Sequence, residues 1–271
     1  EELNNTAELI LDLSKNNIDY SKKKILVVDD NKLNIKVARR ALEPLHFKEI
    51  DDAENGLVCV NKIKDGNTYD IILMDIMMPV MSGETALKNL KEIEGFNTPV
   101  IALTADAIAG AEEKYKEEGF TSYIAKPFSK DQIKLKLDKV FEELENNKKD
   151  NSKDKKLDKS MKKNNKNNDG NDDKIYDEKY LLDNGIDYKK GVELFGDITT
   201  YKEMLSDWYK DSLDNFKKIK DLLDKKDMPN YSVEVHSLKS DAKYFGMDKL
   251  ASISLEHELK SKENDTDYIT N

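Results

Sequence analysis

Ile71-Ile72-Leu73-Met74-Asp75 is a run of four apolar residues that ends on a carboxylate. Apolar residues in unbroken succession suit a strand covered on both faces, as in parallel sheets. Three more runs share this character: Ile25-Leu26-Val27-Val28, Val100-Ile101-Ala102-Leu103 and Tyr123-Ile124-Ala125. A weaker strand candidate, Phe47 to Ile50, stands second in chain order. Between and after them lie segments with helical spacing, such as Leu33-Ile35-Val37-Ala38-Ala41-Leu42 and Ile133-Leu135-Leu137-Val140-Phe141-Leu144. Strands alternating with helices predict an α/β domain, a doubly wound five-stranded parallel sheet, over residues 24–145.

The ends of these strands carry the chemistry. Asp29-Asp30 follow the first, Asp75 ends the third, Thr104 the fourth and Lys126 the fifth. In an open parallel sheet the carboxyl ends of the strands share one edge, where ligands bind. Taken singly, each group has an ordinary explanation as a turn or helix cap. Taken together they converge on one site. Three carboxylates repel one another and invite a hard divalent cation, with Mg²⁺ the natural candidate. A lysine and a hydroxyl opposite them are suited to receive phosphoryl oxygens.

Beyond this domain the composition changes twice. Residues 146–174 are almost entirely Asn, Lys, Asp and Ser, with no apolar period, which predicts a disordered linker spanning roughly 30 Å as a coil. From Ile175 the spacing is helical again: Tyr201-Met204-Leu205-Trp208-Leu213-Phe216-Ile219-Leu222-Leu223, then Pro229 as punctuation, then a helix from about Tyr231 to Phe245. Gly246 reads as a stop and Asp248 as the cap of a following helix. This predicts an all-α helix bundle over 175–271. Residues 1–23 read as an upstream connector.

Of the three histidines, His46 falls in a helix-to-strand turn and His257 in a charged helix, and both read as surface polar residues. His236 stands out. Val235, Leu238, Ala242 and Phe245 form one stripe, and at the helical repeat His236 points roughly 140° from its centre. Lys239, Ser240 and Lys243 lie nearer its side. An imidazole on the solvent face with lysines close by is poised to accept and release a phosphoryl group.

Val27-Val28-Asp29-Asp30-Asn31, Leu73-Met74-Asp75-Ile76-Met77-Met78-Pro79, Ala102-Leu103-Thr104-Ala105 and Ala125-Lys126-Pro127-Phe128 resemble the motifs of response-regulator receiver domains. The resemblance implies that Asp75 is the phosphoacceptor. It implies that Asp30 and Asp75 bind Mg²⁺ directly, with Asp29 assisting and the Met77 carbonyl as a backbone ligand. Lys126 would then pair with the phosphoryl group, Thr104 would bond to it after transfer, and Tyr123 would be the aromatic switch. A cis bond at Lys126-Pro127 is also implied. The aspartyl-phosphatase hydrolases, which share the nucleophile, want a second acid two residues later, where this chain has Met77.

His236-Ser237-Leu238-Lys239-Ser240-Asp241-Ala242, with Gly246, Leu250 and Leu255-Glu256, resembles histidine phosphotransfer (HPt) domains. By that resemblance His236 is the phosphorylated residue and Lys239 lies close to the phosphoryl group. Ser240 stands where that family commonly has glycine. The family's bundle also has a further long helix, of which only Asp267-Tyr268-Ile269 hints here, so exposed apolar surface is expected on its neighbours.

Composition narrows the classes further. The net charge of −10 argues against nucleic acid as partner. One cysteine, Cys59, allows neither an internal disulfide nor a multi-cysteine metal site. The sequence shows no signal peptide and no span for a membrane, so a cytoplasmic segment is expected. The chain opens on Glu1, which suggests a piece of a longer protein. The order receiver-then-HPt resembles the C-terminal part of a hybrid sensor histidine kinase, and the sequence shows no ATP-binding kinase domain. The expected function is phosphorelay signalling in a two-component system, with an upstream histidine kinase domain supplying the group and a downstream response regulator receiving it. Two alternatives stay open: a receiver switch controlling a helical partner-binding module, and a phosphate sink.

Overall fold

In the computed structural model, residues 18–105, 111–149, 178–265 and 269 are described. The apolar runs fold as parallel strands because their backbones pair with one another while both faces are covered by helices. These are β1 (Lys24–Val28), β2 (Glu49–Ala53), β3 (Ile71–Asp75), β4 (Val100–Thr104) and β5 (Ser122–Ala125), in the spatial order β2-β1-β3-β4-β5. The helices between and after them are α1 (Lys32–Leu42), α2 (Gly56–Lys64), α3 (Gly83–Lys91), α4 (Ala111–Glu118) and α5 (Lys130–Lys149).

The weak strand candidate forms slightly later than expected. β2 is an edge strand and only half-buried, so it carries little apolar signal: its sequence is Glu-Ile-Asp-Asp-Ala. Phe47 lies before it and stacks on Tyr20, with ring centroids 4.7 Å apart. Tyr20 also corrects a boundary. It is buried, it donates a hydrogen bond to Asp138 on α5, and it packs edge-on to Phe141. The α/β unit therefore begins before Lys24, and of the expected connector only residues 1–17 lie outside the described residues. The expected linker loses its first four residues, because α5 continues to Lys149. The rest of it falls outside the described residues.

Side chains alternate across the sheet. Ile25, Val27, Leu73, Ile101 and Leu103 face α1 and α5, while Leu26, Val28, Ile72, Met74, Val100 and Ala102 face α2, α3 and α4. The carboxyl edge of β3 is backed by Gly83, at the start of α3. A Cβ there would lie 2.2 Å from the Asp75 carbonyl oxygen, so only glycine lets the helix approach this closely.

The second helical region comprises α6 (Glu178–Asp183), α7 (Tyr188–Phe195), α8 (Ile198–Asp224), α9 (Met228–Tyr244) and α10 (Asp248–Lys262). Pro229 does not break the chain between helices. It sits in the first turn of α9, where its missing N–H is not needed, so the helix starts three residues before the expected Tyr231. Gly246 ends the stretch as expected, with φ of +71°, and a Cβ there would meet the Asp187 carbonyl oxygen at 2.1 Å. Asp248 does not cap α10. The capping position is Met247, and Asp248 pairs instead with Lys190 at 2.5 Å. Leu213 and Phe216 on α8 and Ile253, Leu255 and Leu259 on α10 are exposed, as expected. Of the segment that hints at a further helix, residues 267 and 268 lie outside the described residues. Ile269 packs on Met228, Tyr231 and Val235.

The two regions share one apolar core. Tyr201, Met204, Leu205, Trp208, Tyr244 and Phe245 are continuous with the α1/α5 side of the sheet. Phe128, just after β5, meets Tyr244 edge-on at 5.9 Å.

Candidate functional site: an acidic pocket facing a buried histidine

β1, β3, β4 and β5 place Asp29, Asp75, Thr104 and Lys126 at one edge, each at a strand end. All four are buried. Lys126 Nζ lies 2.6 Å from Asp29 and 3.0 Å from Asp75. Asp29 also accepts from the Asn31 backbone N–H and the Asn34 amide, each at 2.9 Å. Ligand oxygens of Asp29, Asp30 and Asp75 lie within 4.8 Å of one another. Lys126-Pro127 is cis.

The electrostatics follow from crowding three acids around one lysine. Burial, then the charges of Asp29 and Asp75, push Asp30 up to about 8, with Lys126 only partly offsetting them. Burial pushes Asp75 up to about 6; Lys126 pulls it down, Asp29 raises it, and His236 pulls it down. Burial acts to lower Lys126, but Asp29 and Asp75 hold it above the ordinary lysine value. One oxygen of Asp75, Oδ1, is buried without a hydrogen-bond partner among the described residues.

Thr104 accepts a hydrogen bond from Tyr115 on α4 at 2.9 Å. Tyr115 in turn packs against the half-buried Tyr123, ring centroids 5.9 Å apart. Met77 lies in the half-buried loop two residues beyond Asp75.

His236 is not where the helical pattern puts it. The pattern predicts a solvent-facing side chain, yet His236 is 5% exposed. The face opposite the apolar stripe is covered from two sides, by α10 and by the loop after β1, and neither cover is visible in the periodicity of α9 alone. His236 Nδ1 lies 3.1 Å from Glu258 on α10, close but not aligned as a full hydrogen bond. Lys239 is likewise buried. Rather than standing free beside the imidazole, it donates to Glu258 at 2.7 Å, and Lys262 reaches the same carboxylate at 2.6 Å. Burial acts to raise Glu258, but His236, Lys239 and Lys262 hold it well below the usual carboxylate range.

Glu258 is the residue that sequence reasoning misses. Leu255 and Glu256 lie beside it in sequence, but the placing of Glu258 depends on how α10 lies along α9, which sequence spacing does not state. His257 is not a bare surface residue either, since its Nδ1 lies 2.7 Å from the Tyr231 hydroxyl.

α1 leans on α8 and α9. Asn31 bonds to Ser237 and Asp241, Lys36 to Asp207 at 3.0 Å, and Arg40 to Glu203 at 3.1 Å. Ser237, the residue after His236, is thereby held against the loop that follows β1.

Strand order, acid cluster, lysine and hydroxyl define a receiver domain that is phosphorylated on aspartate. The family described as "Response regulator receiver domain" matches residues 25–138, and the chain belongs to that family. It is 35% identical over 122 residues to Chemotaxis protein CheY-3 of Vibrio cholerae, covering 45% of this chain and 93% of that one. It is 37% identical over 113 residues to Two-component system protein A of Emericella nidulans, covering 41% of this chain and 16% of the relative. A match of 36% over 129 residues to Histidine protein kinase 1 of Candida albicans covers 44% of this chain and 5% of the relative. The chain thus spans a small part of these two long relatives and most of CheY-3. The relatives include Hybrid signal transduction histidine kinase G of Dictyostelium discoideum, and the chain contains a receiver of the two-component class. Among the described residues no helix is long and apolar enough to cross a membrane.

Proposed function

We propose that this chain relays a phosphoryl group between Asp75 and His236. One observation carries the reading: α9 lies against the edge of the sheet where Asp75 sits, with Ser237, the residue after His236, bonded to Asn31 beside the Asp29-Asp30 pair. In the forward direction Asp75 Oδ1, the buried oxygen without a protein partner, attacks a phosphoryl donor, forming a P–O bond as the donor's bond to phosphorus breaks. Lys126 balances charge on the transferred group, and Thr104 bonds to it once it has arrived.

His236 then attacks phosphorus through Nε2, forming a P–N bond as the P–O bond to Asp75 breaks and returns a carboxylate. Glu258 faces Nδ1 at 3.1 Å and fixes which ring edge is turned away from the incoming phosphorus. Lys239 acts one layer back, as the counter-charge that keeps Glu258 ionised.

The three acids fit a divalent cation. Their oxygens are grouped, and burial together with crowding already raises Asp30 and Asp75. Asp30 and Asp75 would hold Mg²⁺, with Asp29 behind them and the Met77 carbonyl completing the set. The ion would neutralise phosphoryl oxygens during transfer. Tyr123 is assigned as the aromatic switch, through its contact with Tyr115 and hence Thr104. An upstream histidine kinase domain supplies the group and a response regulator takes it from His236.

The test is transfer from a labelled phospho-donor kinase to wild type, Asp75→Asn and His236→Gln, scoring acid-stable and base-stable phosphate separately. The expected result is label on His236 only when Asp75 is intact. Label that stays on Asp75 with His236→Gln indistinguishable from wild type would leave a receiver switch. Rapid loss of label without any phosphohistidine would leave a phosphate sink.

A further inference from the structure

Five residues beyond His236 lies a second ionisable group that the relay chemistry does not use. Asp241 is buried at 3% exposure between α8, α9 and the start of α1. Its Oδ2 accepts from the Trp208 indole N–H at 2.8 Å, and its Oδ1 accepts from the Asn31 amide at 2.6 Å. Ser237 is one turn before Asp241, on the same face of α9, and its hydroxyl oxygen lies 3.0 Å from the same Asn31 nitrogen. The Asn31 side chain thus sits in a fork made by two side chains of one helix.

The amide in that fork is fixed from the receiver side as well. Asn31 caps α1, its Oδ1 accepting from the Leu33 N–H at 2.8 Å, and its own backbone N–H is tied to Asp29. With the oxygen committed to the cap, only Nδ2 faces outward. On the other side Trp208 orients the carboxylate, so donor and acceptor are both pre-set before the surfaces meet.

We propose that Ser237 and Asp241 form a specificity fork, which admits receivers that carry a side-chain amide immediately after the acidic pair and rejects those with a carboxylate or an apolar side chain there. An acid in place of Asn31 would face the Asp241 carboxylate in a desolvated gap, where like charges are strongly unfavourable. An apolar residue would leave one oxygen of Asp241 buried without a donor. The fork stands next to Asp30, so the same docking event that brings His236 to Asp75 checks this one position. The contact itself rests only on docking. Its role in transfer rests on the relay reading.

Trp208 makes the test direct, because it is the only tryptophan of the chain and its indole N–H ends in the fork. The full chain is compared as wild type, Asn31→Asp, Asn31→Ser, Asp241→Asn and the double variant Asn31→Asp with Asp241→Asn. Tryptophan emission reports docking, far-UV circular dichroism separates undocking from unfolding, and label on His236 reports transfer. Asn31→Asp is expected to redden the emission and to lower transfer to His236 by at least about tenfold. Asn31→Ser, which keeps a helix cap but loses the amide, is expected to redden it less. The double variant exchanges amide and carboxylate across the gap and is expected to recover wild-type emission. The amide now on α9 can donate to the carboxylate now capping α1, and its oxygen can still accept from Trp208.

Wild-type emission and transfer in Asn31→Asp would overturn the fork. So would a double variant no better than its worse parent while the circular dichroism is native. If emission follows the expected order but no label reaches His236 even in wild type, the fork stands and the relay reading fails.

Discussion

The pocket around Asp75 and the site around His236 are assembled in opposite ways. The pocket is made within one sheet: four strand ends supply its acids, its lysine and its hydroxyl, and the strands fix their spacing. The histidine site is made between elements. α9 contributes His236, α10 contributes Glu258, and the receiver closes the remaining face. The first is complete as soon as the sheet forms. The second exists only when three bodies are in place.

That difference can be broken at its strongest point first. Lys126 is the sole cation within salt-bridge distance of Asp29 or Asp75 among the described residues. Replacing it with methionine keeps the volume and leaves two buried carboxylates unpaired, so a stability loss of about 4 kcal/mol is expected in urea denaturation. Added Mg²⁺ should restore part of that loss by occupying the same acids, and no recovery would argue against the cation site. The α8–α10 region should be affected only through docking.

A smaller effect is expected from Glu258→Gln. The amide keeps a hydrogen-bonding group in place but removes the charge that Lys239 and His236 face. About 2 kcal/mol of stability should go with it. The kinetic signature is sharper: Asp75 should take label from a small-molecule donor at the wild-type rate, while transfer to His236 slows. Equal slowing of both steps would mean that the two sites are not assembled independently.

The smallest effect belongs to the exposed rim. Arg40 and Glu203 are both open to solvent, and such pairs contribute no more than about 1 kcal/mol. Arg40→Ala should leave urea stability within error and weaken docking, read by Trp208 emission, only at low salt. A large loss that persists at high salt would show that the rim pair acts as part of the interface core.

The same contrast explains what the sequence discloses. Asp29, Asp75, Thr104 and Lys126 are legible because a strand end has a fixed address in a parallel sheet, and four addresses agreeing is hard to produce by accident. β2 is blurred because an edge strand buries only part of itself, and Glu-Ile-Asp-Asp-Ala carries little apolar pattern. His236 is singled out by the resemblance of its segment, but its surroundings are misjudged. A helical wheel separates faces and says nothing of what covers them, so a face without apolar residues passes for a solvent face. Glu258 and the Asp241–Trp208 pair are hidden for the same reason: each acts through a partner on another helix.

The docking of α1 on α8 and α9 also has a consequence for competition. Receiver and histidine belong to one polypeptide, so the receiver is present at the His236 face at an effective concentration of about millimolar, as for tethered partners in general. A separate regulator at roughly micromolar concentration and equal affinity would occupy that face only about one-thousandth as often as the chain's own receiver. On the relay proposed above, onward transfer would be governed by how often the chain's own receiver lets go, and a phosphoryl group moving off Asp75 would change the charge on both sides of the contact it must vacate.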